Sequence, residues 1–260
     1  MSAAARTALA DKGIVVTRPA QQGEALCAAL AAAGARVIRF PTIEILGPAD
    51  PQALTAVIDR LDEFDLAVFV SPNAVRAAMQ AIRARRCWPA TLRAATIGRG
   101  GERELARHGI AGVIAPARFD SEALLAMAEL QAVAGRRVVI FRGDGGRELL
   151  GATLRARGAT VEYAACYRRA LPQTDATLLL TAWDRGQIDA VTVTSSEGLH
   201  NLIALLGAAG RAGLARTPVF VPHPRIEDAA RTAGCSRVVL TAQGDDGLLE
   251  GLAAWFGAAH

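Results

Sequence analysis

Apolar residues in this chain come in short runs, and each run stops at a polar turn that opens onto a stretch with helical spacing. The plainest case is "LAVFV" (66–70), which ends at Ser71-Pro72-Asn73 and hands over to an Ala-rich segment. Runs of four to six apolar residues without polar alternation suit strands buried on both faces, and the 3.6-residue period that follows suits helices. The pattern repeats along the chain. "GIVVTR" (13–18) precedes a helix over about 21–33 and then "ARVIRF"; "RAATIG" precedes a helix from about 101; "AGVIA" leads to "DSEALLAMAEL". "RRVVIFRG" precedes a helix over about 146–157, and "ATVEYAA", "DAVTVT", "TPVFVP" and "SRVVLT" each lead into a helix. Such alternation predicts an α/β fold of parallel sheets covered on both faces.

The pattern also begins again part-way along. Ile14-Val15-Val16-Thr17-Arg18 aligns with Val138-Val139-Ile140-Phe141-Arg142, and Gly34-Ala35-Arg36-Val37 with Gly158-Ala159-Thr160-Val161, at an offset of 124. Asp65 and Ser71 keep that offset from Asp189 and Ser195, and Gly109 and Gly234 differ by 125. This period is far too long for a solenoid unit and predicts two homologous α/β halves. Between the second and third strands of each half lie "RFPTIEILGPADP" (39–51) and "YAACYRRALPQTD" (163–175), which read as extended crossovers between lobes.

In open parallel sheets, ligands bind outside the carboxyl ends of the strands, so the turns there belong together. In the first half they are Thr17-Arg18, Ser71-Pro72-Asn73 and Gly98-Arg99-Gly100-Gly101. In the second they are Arg142-Gly143-Asp144-Gly145-Gly146-Arg147, Thr194-Ser195-Ser196 and Pro222-His223-Pro224-Arg225. A serine or asparagine at such a turn caps the following helix, proline fits its first turn, and free N–H groups point outward. Taken singly, each serine is a plain cap. Six polar turns with several arginines on one rim point to an anion. Tyr167, one of two tyrosines, lies in the second crossover, where its phenol either faces a cleft or packs the segment.

Composition narrows the field. The net charge is +4, carried almost wholly by Arg, which suits nucleic acid, phosphates or a polycarboxylate. The absence of a long Lys/Arg block or a basic run studded with aromatics argues against nucleic acid. Four scattered cysteines with no C-x-x-C pair argue against disulfides and zinc. The first dozen residues lack a signal-peptide core and no charge-free apolar run is long enough to span a membrane, so a soluble cytoplasmic protein is expected. Glu148 stands where a dinucleotide-binding fingerprint wants Gly or Ala, no phosphate-binding P-loop occurs, and the four histidines show no metal spacing.

The ordered set "VVTRP" (15–19), "FPTIEI" (40–45), "VFVSPNAV" (68–75), "FDSEALL" (119–125), "RGDGGRELLGATLRARGATVEYAACYRR" (142–169) and "VTSSEGLHNL" (193–202) resembles the uroporphyrinogen-III synthase family from about Gly13 to Phe256. The resemblance implies two flavodoxin-like lobes joined by a two-stranded ladder. One lobe would be 1–38 with 172–260 and the other 46–162, with linker strands at 39–45 and 163–171 and the active cleft between the lobes. It implies a lyase without cofactor or metal, working as a monomer on hydroxymethylbilane, a linear tetrapyrrole polycarboxylate. The substrate could pass by transient contact from hydroxymethylbilane synthase, with no nucleic acid or membrane involved. By matched position, Tyr167 would assist departure of the hydroxyl. Thr17, Arg18, Ser71, Asn73, Gly98, Arg99, Arg142, Gly143, Arg147, Arg168, Ser195, Ser196, His223 and Arg225 would bind substrate. Two turns depart from the family pattern: Gly101 stands where a threonine is common, and "VPHPRIED" replaces a Gly-rich turn. The rival readings are a two-lobed binding protein or ligand-sensing core for an anion, and a phosphate-ester or sugar-nucleotide enzyme.

Overall fold

The computed structural model describes residues 8–117, 120–146 and 148–258. The chain forms two compact units, one running through Glu44 and resuming at Ala170, the other running Ile45–Arg169. The first holds β1 (Gly13–Val16), β2 (Arg36–Arg39), β8 (Ala190–Thr192), β9 (Val219–Val221) and β10 (Val238–Leu240), in the sheet order β10-β9-β8-β1-β2. All four of its pairings are parallel. The second holds β3 (Glu44–Leu46), β4 (Leu66–Phe69), β5 (Arg93–Thr96), β6 (Arg137–Gly143) and β7 (Thr160–Ala170), in the order β3-β7-β6-β4-β5. The pairings β6/β7, β4/β6 and β4/β5 are parallel.

Strands that start 124 residues apart hold matching places: β1 and β6, β2 and β7, β4 and β8. Each sheet therefore combines the front of one repeat with the back of the other. In chain order the first sheet reads 2-1-3-4-5, a flavodoxin-like order whose crevice opens between its first and third strands. Here those are β1 and β8, and in the second unit β6 and β4.

Helices cover both faces because the strands carry apolar residues on both. In unit 1, Ile14 and Val16 face helices α1 (Ala20–Ala32) and α11 (Gly244–Gly257), through Leu26, Leu30, Leu248 and Leu252. Val15 and Val191 face α8 (Thr177–Asp184), α9 (Ser196–Arg216) and α10 (Pro224–Thr232), through Leu179, Leu199, Leu202 and Ile226. In unit 2, Phe69, Val139 and Phe141 face α2 (Pro51–Asp59), α3 (Pro72–Arg83) and α4 (Arg99–Arg107). Val68, Val138 and Ile140 face α5 (Ser121–Leu125) and α7 (Leu149–Ala156), with α6 (Ala128–Gln131) between those two in sequence. Truncating a fully buried residue such as Ile140 to Ala costs about 2–5 kcal/mol.

Several elements differ from the sequence expectation. "AGVIA" is a single bridge, Ile114 to Ala95; Gly112 at φ 64 and Pro116 leave no room for a longer strand. "DSEALLAMAEL" breaks into α5 and α6, with Met127 extended between them. Helix α8 lies in "TLLLTAWD", whose continuous apolar run hides a helical period. Residues 163–170, expected to be extended, are so: they continue the eleven-residue strand β7, and Tyr167 pairs with Gly143 in the sheet of unit 2.

Candidate active site

The second unit's rim is built at the ends of β6, β4 and β7. Ser71 is the N-cap of α3: its Oγ accepts the Ala74 N–H at 3.1 Å, and Pro72 takes the first helical position. Register between β6 and β7 shifts at Arg142/Gly143, which sets Gly143 opposite Tyr167. A side chain at Gly143 would meet the Tyr167 ring at 3.1 Å, so glycine lets the ring lie flat against the backbone. The ring is 3% exposed and packs in the core, and its hydroxyl lies 3.3 Å from Ser71 Oγ. The neighbouring Cys166 thiol is pushed up to about 12 by burial. It is no nucleophile at neutral pH.

Arg142 turns over the face of Tyr163, 4.7 Å from the ring centroid. It donates to Glu148 Oε1 at 2.8 Å and to the Gly146 carbonyl at 2.9 Å, with its side chain only 11% exposed. Tyr163 donates its hydroxyl to the other oxygen of Glu148 at 2.8 Å. The hydrogen bond from Arg142, then that from Tyr163, holds the Glu148 carboxyl below the usual carboxylate range. Asn73 accepts from Arg76 at 3.2 Å. Arg168 is exposed on β7.

The first unit's rim repeats the frame. Ser195 caps α9 through Gly198 N–H at 2.9 Å. Arg18, at the same offset from Arg142 as β1 from β6, pairs with Asp245 in the first turn of α11 and donates to Thr194 Oγ1 at 3.3 Å. Ser196 Oγ is buried with no hydrogen-bond partner among the described residues. His223 caps α10 by accepting the Arg225 N–H on Nδ1 at 3.1 Å, and the Arg225 side chain is exposed.

Thr17 was expected to bind substrate, but it is buried and its hydroxyl donates inward to the Thr192 carbonyl at 2.7 Å, tying β1 to β8. Gly98 and Arg99 open α4 with no side-chain cap, and Gly101 is required there for packing. A Cβ on it would come within 2.0 Å of Thr96 Oγ1, which bonds the Phe69 carbonyl at 3.1 Å. Arg147 lies outside the described residues, as does Phe119 of the "FDSEALL" segment.

Sequence reasoning missed the acids. Glu148 was read only as a misfit to a nucleotide fingerprint. Asp245 is 227 residues from Arg18, and no local signal pairs them. It also missed the post that steadies the "FPTIEI" segment: Thr42 donates its hydroxyl to the Thr17 carbonyl at 3.1 Å and accepts from Asn201 at 2.8 Å. Among the described residues, no group of three or more His, Cys, Asp or Glu is placed to hold a metal ion, and no helix is long and apolar enough to cross a membrane.

The family model described as "Uroporphyrinogen-III synthase HemD" matches residues 24–250. The chain is 37% identical to the uroporphyrinogen-III synthase of Salmonella typhimurium and 35% identical to that of Escherichia coli. Each match covers 92% of this chain and 99% of the relative. The chain belongs to the uroporphyrinogen-III synthase family. The family's solved structures carry the same fold: a Thermus thermophilus uroporphyrinogen III synthase mutant aligns with TM-score 0.58 at 20% identity, over 94% of this chain and 99% of that one. The Helicobacter pylori uroporphyrinogen-III synthetase aligns with TM-score 0.58 at 12% identity, with the same coverage.

Proposed function

We infer that the chain is a lyase of tetrapyrrole biosynthesis that closes hydroxymethylbilane to uroporphyrinogen III, with inversion of ring D and loss of water. The observation that carries this reading is the 35–37% identity to uroporphyrinogen-III synthases across nearly the whole of both chains. A simple binding protein or a phosphate-ester enzyme is set aside on the same ground.

The chemistry asks for little beyond placement. The hydroxyl on ring A leaves as water with a donated proton, and an azafulvene cation remains. Ring D attacks through its substituted carbon to form a spiro intermediate, which fragments and recloses inverted. The borrowed proton returns when ring D regains its aromaticity. Since the free substrate closes without inversion, the protein's part is to hold a flexible polyanion folded, which is catalysis by proximity and orientation. Arg18, Arg142, Arg168 and Arg225 suit its carboxylates, as do the N–H groups at the starts of α3, α9 and α10. Tyr167, steadied by Ser71, is the proposed proton donor.

The constant offset of 124 and the matching sheet positions support an origin of the two units by duplication. The enzyme is proposed to act as a monomer in the cytoplasm, with transient transfer of substrate from hydroxymethylbilane synthase. The test is incubation of EDTA-treated protein with enzymatically generated hydroxymethylbilane, followed by isomer analysis of the oxidised porphyrin. Type III product is expected; type I alone would overturn the reading.

A further inference from the structure

Two rim arginines, Arg18 and Arg142, already hold a carboxylate of their own chain. In unit 2 the acid is Glu148, 2.8 Å from Arg142 Nη1; in unit 1 it is Asp245 on Arg18 Nη1. The acids differ in type, in element and in distance along the chain. Glu148 lies immediately before α7, six residues after its arginine, and Asp245 lies in α11, 227 residues from its own. Yet both meet an arginine at the same offset and at the same strand end. Packing does not explain the coincidence, since Glu148 is 65% exposed and Asp245 31%. Nor does anchoring of the arginines: Arg142 also holds the Gly146 carbonyl and the Tyr163 face, and Arg18 also holds Thr194.

We propose that Glu148 and Asp245 are built-in competitors for the substrate's carboxylates, occupying the rim arginines until a polycarboxylate displaces them, and so act as specificity residues of this site. The proposal rests on the functional reading above. In each pair the acid is the more exposed partner, so a carboxylate arriving from solvent can reach the arginine by displacing it. A lone small acid arriving from solvent must therefore replace a partner that is already tethered, and gains little. A linear tetrapyrrole brings many carboxylates on one frame, so its second and later contacts form at high effective concentration. The two acids thus turn a basic rim, open to any anion, into one that answers to a multivalent ligand.

The test compares parent enzyme with Glu148→Gln and Asp245→Asn, which keep shape and hydrogen-bonding capacity but remove charge. KM for hydroxymethylbilane and the inhibition constant of succinate are measured at fixed ionic strength. Each variant is expected to lower KM several-fold and to be inhibited by succinate at several-fold lower concentration than the parent. Asp59→Asn, which removes an exposed partner from Arg85, is expected to change neither constant. A KM that stays level or rises in both rim variants would overturn the proposal, since the acids would then be supports for the arginines. Should Asp245→Asn fold poorly, Glu148→Gln decides the matter alone, because its carboxyl is mostly in solvent. A parent enzyme that makes only type I product would defeat the functional reading instead, whatever the variants do.

Discussion

The two rims share a frame and differ in one decisive side chain. In both, an arginine ends the strand at the crevice, a serine caps the helix of the neighbouring strand, and an acid from the same unit meets the arginine. At the position where unit 2 has Tyr167, unit 1 has Ile43, again 124 residues away. Both side chains are buried, and both fill core. Only Tyr167 carries a hydroxyl to the rim, where it meets Ser71; the matching cap, Ser195, has no phenol beside it in that register. The lesson is that packing sets the frame twice, while a phenol hydroxyl reaches the rim once.

The largest effect expected from breaking this asymmetry is that of Tyr167→Phe. It keeps the ring against Gly143 and removes only the hydroxyl, so the melting temperature should stay near the parent's while kcat falls by about 10²-fold, the usual worth of a placed proton donor. Stopped-flow or discontinuous assays with matched thermal melts check both halves. Full activity would erase the distinction between the rims. Next come the arginines. Arg18→Ala and Arg142→Ala should each raise KM about tenfold, from loss of a charge-assisted hydrogen bond worth about 1.5–3 kcal/mol, while Arg85→Ala, paired with Asp59 away from either rim, leaves it unchanged. Equal effects at all three would reduce the arginines to bulk charge.

Smaller effects sharpen the comparison further. Ser71→Ala and Ser195→Ala should each cost about 1 kcal/mol as lost helix caps in denaturant titrations. Only Ser71→Ala should also lower kcat, because only Ser71 touches a phenol. The smallest concerns pH. Burial, then the charge of Arg83, holds His108 in unit 2 below the ordinary histidine range, with Glu104 opposing. As pH drops below about 6.5, the unfolded chain takes up a proton that the folded chain refuses, so stability falls. Melting temperatures from pH 7.5 to 5 should decline in the parent, and His108→Gln should flatten the decline.

Much of this was legible in the sequence, and the reasons are local. "LAVFV" and "RRVVIFRG" announce buried strands by composition alone, Ser71 and Ser195 announce caps by their place before helical spacing, and a fixed offset carries one half onto the other. What stayed hidden depends on the third dimension. Thr17 reads as a rim residue, yet it is buried and its hydroxyl donates to the Thr192 carbonyl of β8. Gly101 reads as a missing threonine, but Thr96 from β5 fills that space. Tyr167 reads correctly as part of an extended segment, but its pairing with Gly143 across a register shift shows only in three dimensions. The carboxylates on Arg18 and Arg142 carry no local signature at all.

That the tetrapyrrole binds at strand-end rims is the central proposal, and hydrogen exchange tests it most directly. Amide exchange would be followed by mass spectrometry under anaerobic conditions, with and without uroporphyrinogen III. The expected result is slowed exchange at 17–19 and 194–198 in unit 1 and at 71–75 and 142–146 in unit 2, with no change at the opposite strand ends near Asp65 and Arg137. Protection at those opposite ends, with none at the rims, would contradict the proposal.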